Sequence, residues 1–474
     1  MLEYGLMAPA MFAGLVVFML IGFPVTFSLS ALGLAFGFLA IEVGYFDFAF
    51  LQAMPYRVFG IMANDLLLAI PFFTFMGVIL ERSGLAEDLL EGVGQAFGAI
   101  PGGLAYAVII VGAILGAITG TVAASVIAMG MISLPVMLRY GYDMKIGTGV
   151  IAASGTITQV IPPSLVLIVL ADQLGVPVGD MYLGAFGPSI LQVALFLLFI
   201  FLVATFQPHK VPPLPAEART LRGWALVSKV AWGMIPSLVL IFLVLGTIFM
   251  GLATPTEAGA MGAVGAIVLA VLHGRFSVSL LWSAMDQTMR ITAMVLFILV
   301  GATVFSLVFQ GVNGGRWIEH LLSGIPGGQL GFLIFVNIFI FFLAFFLDFF
   351  EIVFIVVPLL VPAAEALDIN LVWFGVLLCV NMQTSFMHPP FGFALFYLRG
   401  IAPPEVKSRD IYLGSIPWIG LQLILVAILI FWPESVTYWL GTDEVLDAAT
   451  VGQALDTLPM PELETPALDL GIEN

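Results

Sequence analysis

Apolar runs of about twenty residues recur along the chain, separated by short polar gaps. At 1.5 Å per residue, a helix of that length crosses a hydrocarbon layer about 30 Å thick. Unbroken candidates fall near residues 7–26, 27–43, 65–81, 181–206, 231–251, 256–273, 291–311 and 411–432. Two further stretches, 102–171 and 330–399, are apolar overall but interrupted by Gly, Pro, Thr and acidic residues. The pattern predicts an all-α polytopic membrane protein in which two regions hold interrupted helices. Composition agrees: 61% of the chain is apolar and 9% charged, far from the roughly one-quarter charged residues of soluble domains. The stretch Met7–Ile21 has no basic segment before it and is followed at once by another apolar run, so it reads as a first span rather than a cleaved leader.

Charge changes the picture at two places. The segment from Gly441 to Asn474 carries eight acidic and no basic residues, half of the net charge of −16, and reads as a mobile tail that cannot bury enough apolar surface to order itself. Such acidity argues against nucleic acid as a partner. Residues 207–229 form the main polar linker, with His209, Lys210, Arg219, Arg222 and Lys229, and their basic excess predicts a cytoplasmic face. The single cysteine, Cys379, excludes a disulfide framework.

Four collinear anchors repeat along the chain. Ile100-Pro101-Gly102-Gly103 returns as Ile325-Pro326-Gly327-Gly328, Pro135 as Pro362, and Pro162-Pro163 as Pro389-Pro390. Asp180-Met181-Tyr182-Leu183-Gly184 with Leu191-Gln192 returns as Asp410-Ile411-Tyr412-Leu413-Gly414 with Leu421-Gln422. Two structural repeats follow, read as inverted, each with a re-entrant helical hairpin and a broken helix; this is the sequence mark of secondary transporters. The chain then divides into N-terminal spans and a scaffold arm (1–99), a first transport unit (100–206), the linker (207–229), scaffold spans (230–324), a second transport unit (325–435) and the acidic tail (436–474).

The interruptions carry the chemistry. Thr119-Gly120-Thr121 sits mid-way in a stretch too long for one span, and Gly112, Gly116 and Gly120 share one helix face on which another backbone can lie close. In the second repeat the equivalent break is Asp348-Phe349-Phe350-Glu351, between Phe341–Leu347 and Ile352–Leu360. A proline has no N–H for the carbonyl four residues earlier. The proline pairs therefore free the carbonyls of Thr158 and Gln159 in one repeat, and of Ser385 and Phe386 in the other. Carbonyls and hydroxyls without formal charge suit a dehydrated Na⁺. Ser125, Ser154, Thr156, Ser164, Asn381 and Thr384 are candidates to line the same sites or a substrate cavity. Asp348 and Glu351 fit either a functional carboxylate pair or a capping box, whereas Glu257, in Thr254-Pro255-Thr256-Glu257, reads as a cap. Arg399 is a candidate for an anionic substrate, while Arg139 and Lys145 flank an interfacial turn. His388 has no partners at metal spacing, so it does not mark a transition-metal site. No P-loop, nucleophile elbow or His-Glu-x-x-His motif is present, so the chain reads as no enzyme, without a covalent cofactor, and its energy must come from an ion gradient or another subunit.

Across residues 5–435 the chain resembles the large (M) subunit of tripartite ATP-independent periplasmic (TRAP) transporters. The likeness rests on Thr119-Gly120-Thr121 leading to Leu134-Pro135 and Gly141-Tyr142-Asp143, on Ile161-Pro162-Pro163-Ser164, on Gly251-Leu252-Ala253-Thr254-Pro255-Thr256-Glu257-Ala258, and on Asn381 through Arg399. The resemblance implies an elevator-type symporter of the ion-transporter superfamily in a bacterial inner membrane, with Na⁺ as coupling ion. It also implies a small four-helix (Q-type) membrane subunit and a periplasmic substrate-binding (P) protein as partners, and import of an organic acid. It places sodium at Thr119, Thr121, Thr158, Ile161 and Pro163 in the first repeat, and at Ser385, His388 and Phe391 in the second. Thr158 stands where the family often has Gly, and His388 where Thr is usual. The alternative is a stand-alone Na⁺- or H⁺-coupled dicarboxylate or anion symporter of related architecture.

Overall fold

A computed structural model describes residues 5–21, 23–119 and 121–440, and every regular element among them is helical. Gly120 and the acidic tail beyond residue 440 lie outside the described residues, as does the side chain of Thr119. Eight described helices are long and apolar enough to cross a membrane, nine if the bent pair 48–62 and 65–82 counts as one span. The protein is a multi-pass helical membrane protein.

One order of elements occurs twice. Helices Gly103–Thr119 and Val122–Arg139 are followed by Met144–Thr156, a tight turn Ile157–Gln159, Leu165–Leu174 and the long helix Val178–Phe206. Later, Gly328–Leu343 and Phe349–Ala366 are followed by Leu371–Met382, a tight turn Gln383–Met387, Phe393–Ile401 and the long helix Ser408–Phe431. The Pro-Gly-Gly anchors have a backbone reason: Gly102 and Gly327 stand at φ 79° and 101°, in a region that residues with a Cβ avoid. The second interruption begins earlier than the sequence suggests. The first arm leaves the helix at Leu343 rather than Leu347, the chain turns through Ala344–Leu347, and Asp348 caps the next helix.

The remaining helices pack mainly on one another. Val25–Val43 lies along Val278–Gly311, and Ala69–Arg82 lies between Pro255–Leu272 and Val278–Gly311. The last of these runs 34 residues, thirteen upstream of the expected start at 291. In its polar first half Asp286 and Arg290 pair at 2.8 Å one turn apart, while Arg82 bonds Ser283 and, at 3.1 Å, Gln287, each adding modest support to the helix. The linker is shorter than 207–229: a helix begins at Trp224, and Lys229 on it pairs with Glu91 of the helix Leu85–Phe97. The linker closes over the base of the first hairpin, where Asp143 N–H donates to Lys210 O and Gly102 N–H to Val211 O, both at 2.8 Å.

The first hairpin lies against its broken helix through glycine. A Cβ on Gly112 would stand 2.7 Å from that of Ser154, and one on Gly116 would stand 2.9 Å from Cα of Thr158. Gly116→Val should therefore destabilise the protein by about 1–3 kcal/mol through overpacking. Thermal unfolding in detergent checks this, with Gly60→Ala, where a Cβ meets nothing within 4 Å, as the unaffected control.

Candidate functional site: two broken helices and the polar knot between them

In both halves the helix tightens, stops before the proline pair and restarts. Ser164 restarts the first, its hydroxyl accepting from Val166 N–H at 3.1 Å and donating to the carbonyl of Gln159 at 2.5 Å. That carbonyl also meets the thiol of Cys379 at 3.4 Å. One of the four oxygens expected to be free is thus engaged, because the chain reverses tightly enough for the capping serine to reach back to it. The helix is nevertheless discontinuous at both places.

Hydroxyls around the breaks donate to nearby carbonyls: Thr158 to Gly155 at 3.0 Å, Thr156 to Ala153 at 2.9 Å and Thr384 to Asn381 at 2.8 Å. A hydroxyl that donates to the backbone keeps its lone pairs for another donor or a cation. Ser154 is fully buried, with Oγ lacking a protein partner. Pro163 is buried and Ile161 half-buried. Thr121, which precedes the second hairpin arm, lines a small cavity of about 10 Å³ with Pro163 and Thr74. Thr74 comes from the neighbouring helix Ala69–Arg82, is buried, and has no hydrogen-bond partner for its hydroxyl. Sequence reasoning missed it, because a lone Thr in an apolar span carries no signal until its neighbours are known. Ser125 is buried on the second arm.

At the second break, Ser385 is 8% exposed and Phe391 61% exposed, so Phe391 could offer an ion only its carbonyl. His388 is buried and stacked on Phe345, 4.0 Å between centroids, with Phe341 edge-on at 4.5 Å. Neither ring nitrogen makes a hydrogen bond of ordinary geometry. Asn381 donates to the carbonyl and side chain of Asn337 at 2.7 and 3.0 Å, tying the break to the first arm of its hairpin. Asp348 and Glu351 form a reciprocal capping box at 2.9 and 3.1 Å, as do Thr254 and Glu257 at 3.3 and 2.8 Å. Arg399 is exposed and bonds Tyr412 Oη at 3.4 Å, away from the breaks.

The two breaks are joined. Gln192 on the long helix of the first repeat exchanges amide hydrogen bonds with Gln383 at the second break, 2.6 and 3.1 Å. Gln422 on the long helix of the second repeat donates to Thr156 at the first break at 3.0 Å, and to Gln383 at 3.3 Å. All four residues are fully buried. Thr156 therefore belongs to this knot rather than to an open cavity. The signal was present: Gln192 and Gln422 recur at equivalent positions in long apolar runs, and a polar group at membrane depth needs a partner.

Two discontinuous helices, with hydroxyl and amide groups gathered between them inside an otherwise apolar bundle, define a membrane permease. The chain belongs to the family described as tripartite ATP-independent periplasmic transporter, DctM component, which matches residues 12–435. It is similar to the C4-dicarboxylate TRAP transporter large permease protein DctM of Pseudomonas aeruginosa, 29% identical with 82% of this chain and 90% of the relative covered. It is also similar to the ectoine/5-hydroxyectoine TRAP transporter large permease protein UehC of Ruegeria pomeroyi, 28% identical with 90% and 97% covered. In fold it is similar to the Alcanivorax borkumensis YdaH transporter, with a TM-score of 0.57, 17% identity, and 88% of this chain and 97% of that one covered. As a large permease it is no enzyme, and it is placed in the bacterial inner membrane.

Replacing Gln383 by Leu should lower stability by about 1–3 kcal/mol, because the amides of Gln192 and Gln422 lose a buried partner. In a double-mutant cycle of Gln192→Leu and Gln383→Leu, the pair should cost clearly less than the sum of the singles. Thermal unfolding of the four proteins in one detergent measures it.

Proposed function

We propose that this permease imports an organic acid together with Na⁺, receiving it from a periplasmic binding protein and working with a small four-helix membrane subunit. The carrying observation is the paired break. In each half a tight helical turn ends at a proline pair amid uncharged oxygens, and crossed glutamines hold the halves together. Thr119, Thr121, Thr158, Ile161 and Pro163 form the first proposed sodium site, and Ser385, His388 and Phe391 the second. Ser154 and Asn381 flank these sites.

In this reading residues 100–206 and 325–435 are two inverted copies that move together, elevator-fashion, against a scaffold of 1–99 and 230–324. Sodium at the breaks supplies the charge that an anionic substrate needs in a low-dielectric path, since the carbonyls and hydroxyls there are neutral. The linker at the base of the first hairpin marks the cytoplasmic face.

Co-reconstituted with its two partner proteins, the chain should take up substrate only with a sodium gradient. Ser385→Pro or Thr119→Pro should abolish that uptake while leaving membrane insertion intact. Unchanged sodium dependence in either variant would overturn the assignment, and uptake by this chain alone would favour the stand-alone symporter instead.

A further inference from the structure

Between the scaffold and the repeats lies a second cavity, of about 370 Å³, within the size range of small-molecule sites. Its polar walls come from three places, Arg57 and Asn64 at the bend of the scaffold arm, Thr303 and Ser306 on the helix Val278–Gly311, and Asp172 with Gln173 at the end of the half-helix Leu165–Leu174, and Phe354 and Pro358 close a fourth, apolar side. The continuous 29-residue helix Val178–Phe206 separates the end of the half-helix Leu165–Leu174 from the linker that follows Phe206. The cavity is therefore on the face opposite the linker.

The wall groups differ in how far they are engaged. Both carboxylate oxygens of Asp172 accept amide hydrogens, from Asn64 Nδ2 and Gln173 Nε2, each at 2.8 Å, so this carboxylate is held in one orientation. Arg57 is less committed: its guanidinium makes a 3.4 Å bond to the neutral side chain of Gln310, and it is not among the groups found in salt bridges. Thr303 and Ser306 are three apart and so share a helix face. A guanidinium binds carboxylates through its fork of donors. A fixed carboxylate and hydroxyls on the other walls select ligand groups that donate hydrogen bonds.

We infer that this cavity is a separate binding site for a small hydroxy acid: its carboxylate pairs with Arg57, and its hydroxyl is received by Asp172, Thr303 and Ser306. The inference deepens the transport reading and rests on it for the role of the site, as the place where substrate is first held on the side from which it arrives. Asn64 and Asp172 come from the scaffold and a repeat respectively, so an occupant here touches both bodies.

The test reads the cavity directly. In membranes carrying the full-length Gly60→Cys variant, whose new side chain lines the cavity and meets nothing within 4 Å at its Cβ, methanethiosulfonate reagents of opposite charge are applied; the native Cys379 is fully buried and serves as the unlabelled background. The anionic reagent should react about ten-fold faster than the cationic one. Arg57→Gln should erase that preference, and Arg57→Lys should keep it. Millimolar lactate should slow labelling, propionate should slow it less, and Arg57→Gln should abolish both effects. Monodisperse elution of each variant in detergent shows that it is folded. Equal rates for the two reagents, or equal protection by lactate and propionate, would overturn the hydroxy-acid site. Labelling needs neither sodium nor partner proteins. Protection without sodium-driven uptake would therefore sink the transport reading and leave the site standing, and the converse would sink the site alone.

Discussion

Every backbone polar group at membrane depth must find a partner inside the protein, because lipid offers none. A continuous helix meets that demand automatically. A helix broken by two successive prolines does not, and this chain breaks one in each half. The surrounding structure can be read as the answer to that demand. Ser164 caps the restarted helix and reaches back to Gln159 O. Glycines at 112 and 116 let a hairpin arm cover Ser154 and Thr158 closely enough to exclude lipid. Asn337 and Asn381 do the corresponding work in the second half with side chains in place of a bare backbone.

The same constraint explains why the breaks are coupled. Four buried polar residues could have satisfied themselves within their own segments, yet Gln192 reaches from the first half to the second break and Gln422 from the second half to the first. Buried amide networks are stable only when nearly every member is paired. Displacing one break relative to the other would leave several amides unpaired at once, so the two breaks are held as one unit. In the proposed function this is what makes two cation sites and one substrate path move together.

Much of this was legible in the chain. Span length and composition give the membrane bundle, and the repeated Pro-Gly-Gly, Pro-Pro and Leu-Gln anchors give the order of elements in each half, since each anchor has a backbone or burial reason to recur. The capping box at Glu257 was also readable from its spacing, and Asp348–Glu351 settles into the same motif. What was hidden depends on distance across the bundle. The polar start of the helix Val278–Gly311 looks like a loop until Arg82 is found beside Ser283 and Gln287. Thr156 looks like a cavity residue until Gln422 is found against it. The role of Arg57 emerges only once a scaffold bend and the end of a half-helix prove to share a cavity.

Placement of the strong polar contacts bears on how such a molecule could move. Lys229–Glu91, Arg275–Asp88 and Arg290–Asp286 join helices outside the two break-containing halves, and the glutamine knot joins one half to the other. Helices also pack across the boundary, Leu85–Phe97 on Gly103–Thr119 and Gly314–Ser323 on Val357–Ala366, and the polar contacts described there are of a different kind. Thr74, with its unpaired hydroxyl, faces the first hairpin across a small void, apolar side chains line a larger groove beside Ile161 and Pro162, and Asn64 meets Asp172 through one hydrogen bond. A net hydrogen bond contributes about 0.5–1.5 kcal/mol, and apolar surface in lipid loses little by sliding past other apolar surface. In the proposed function, this boundary is where one set of helices would shift against the other. The polar groups that do meet at that boundary are then the places where a bound ion or substrate could bias it.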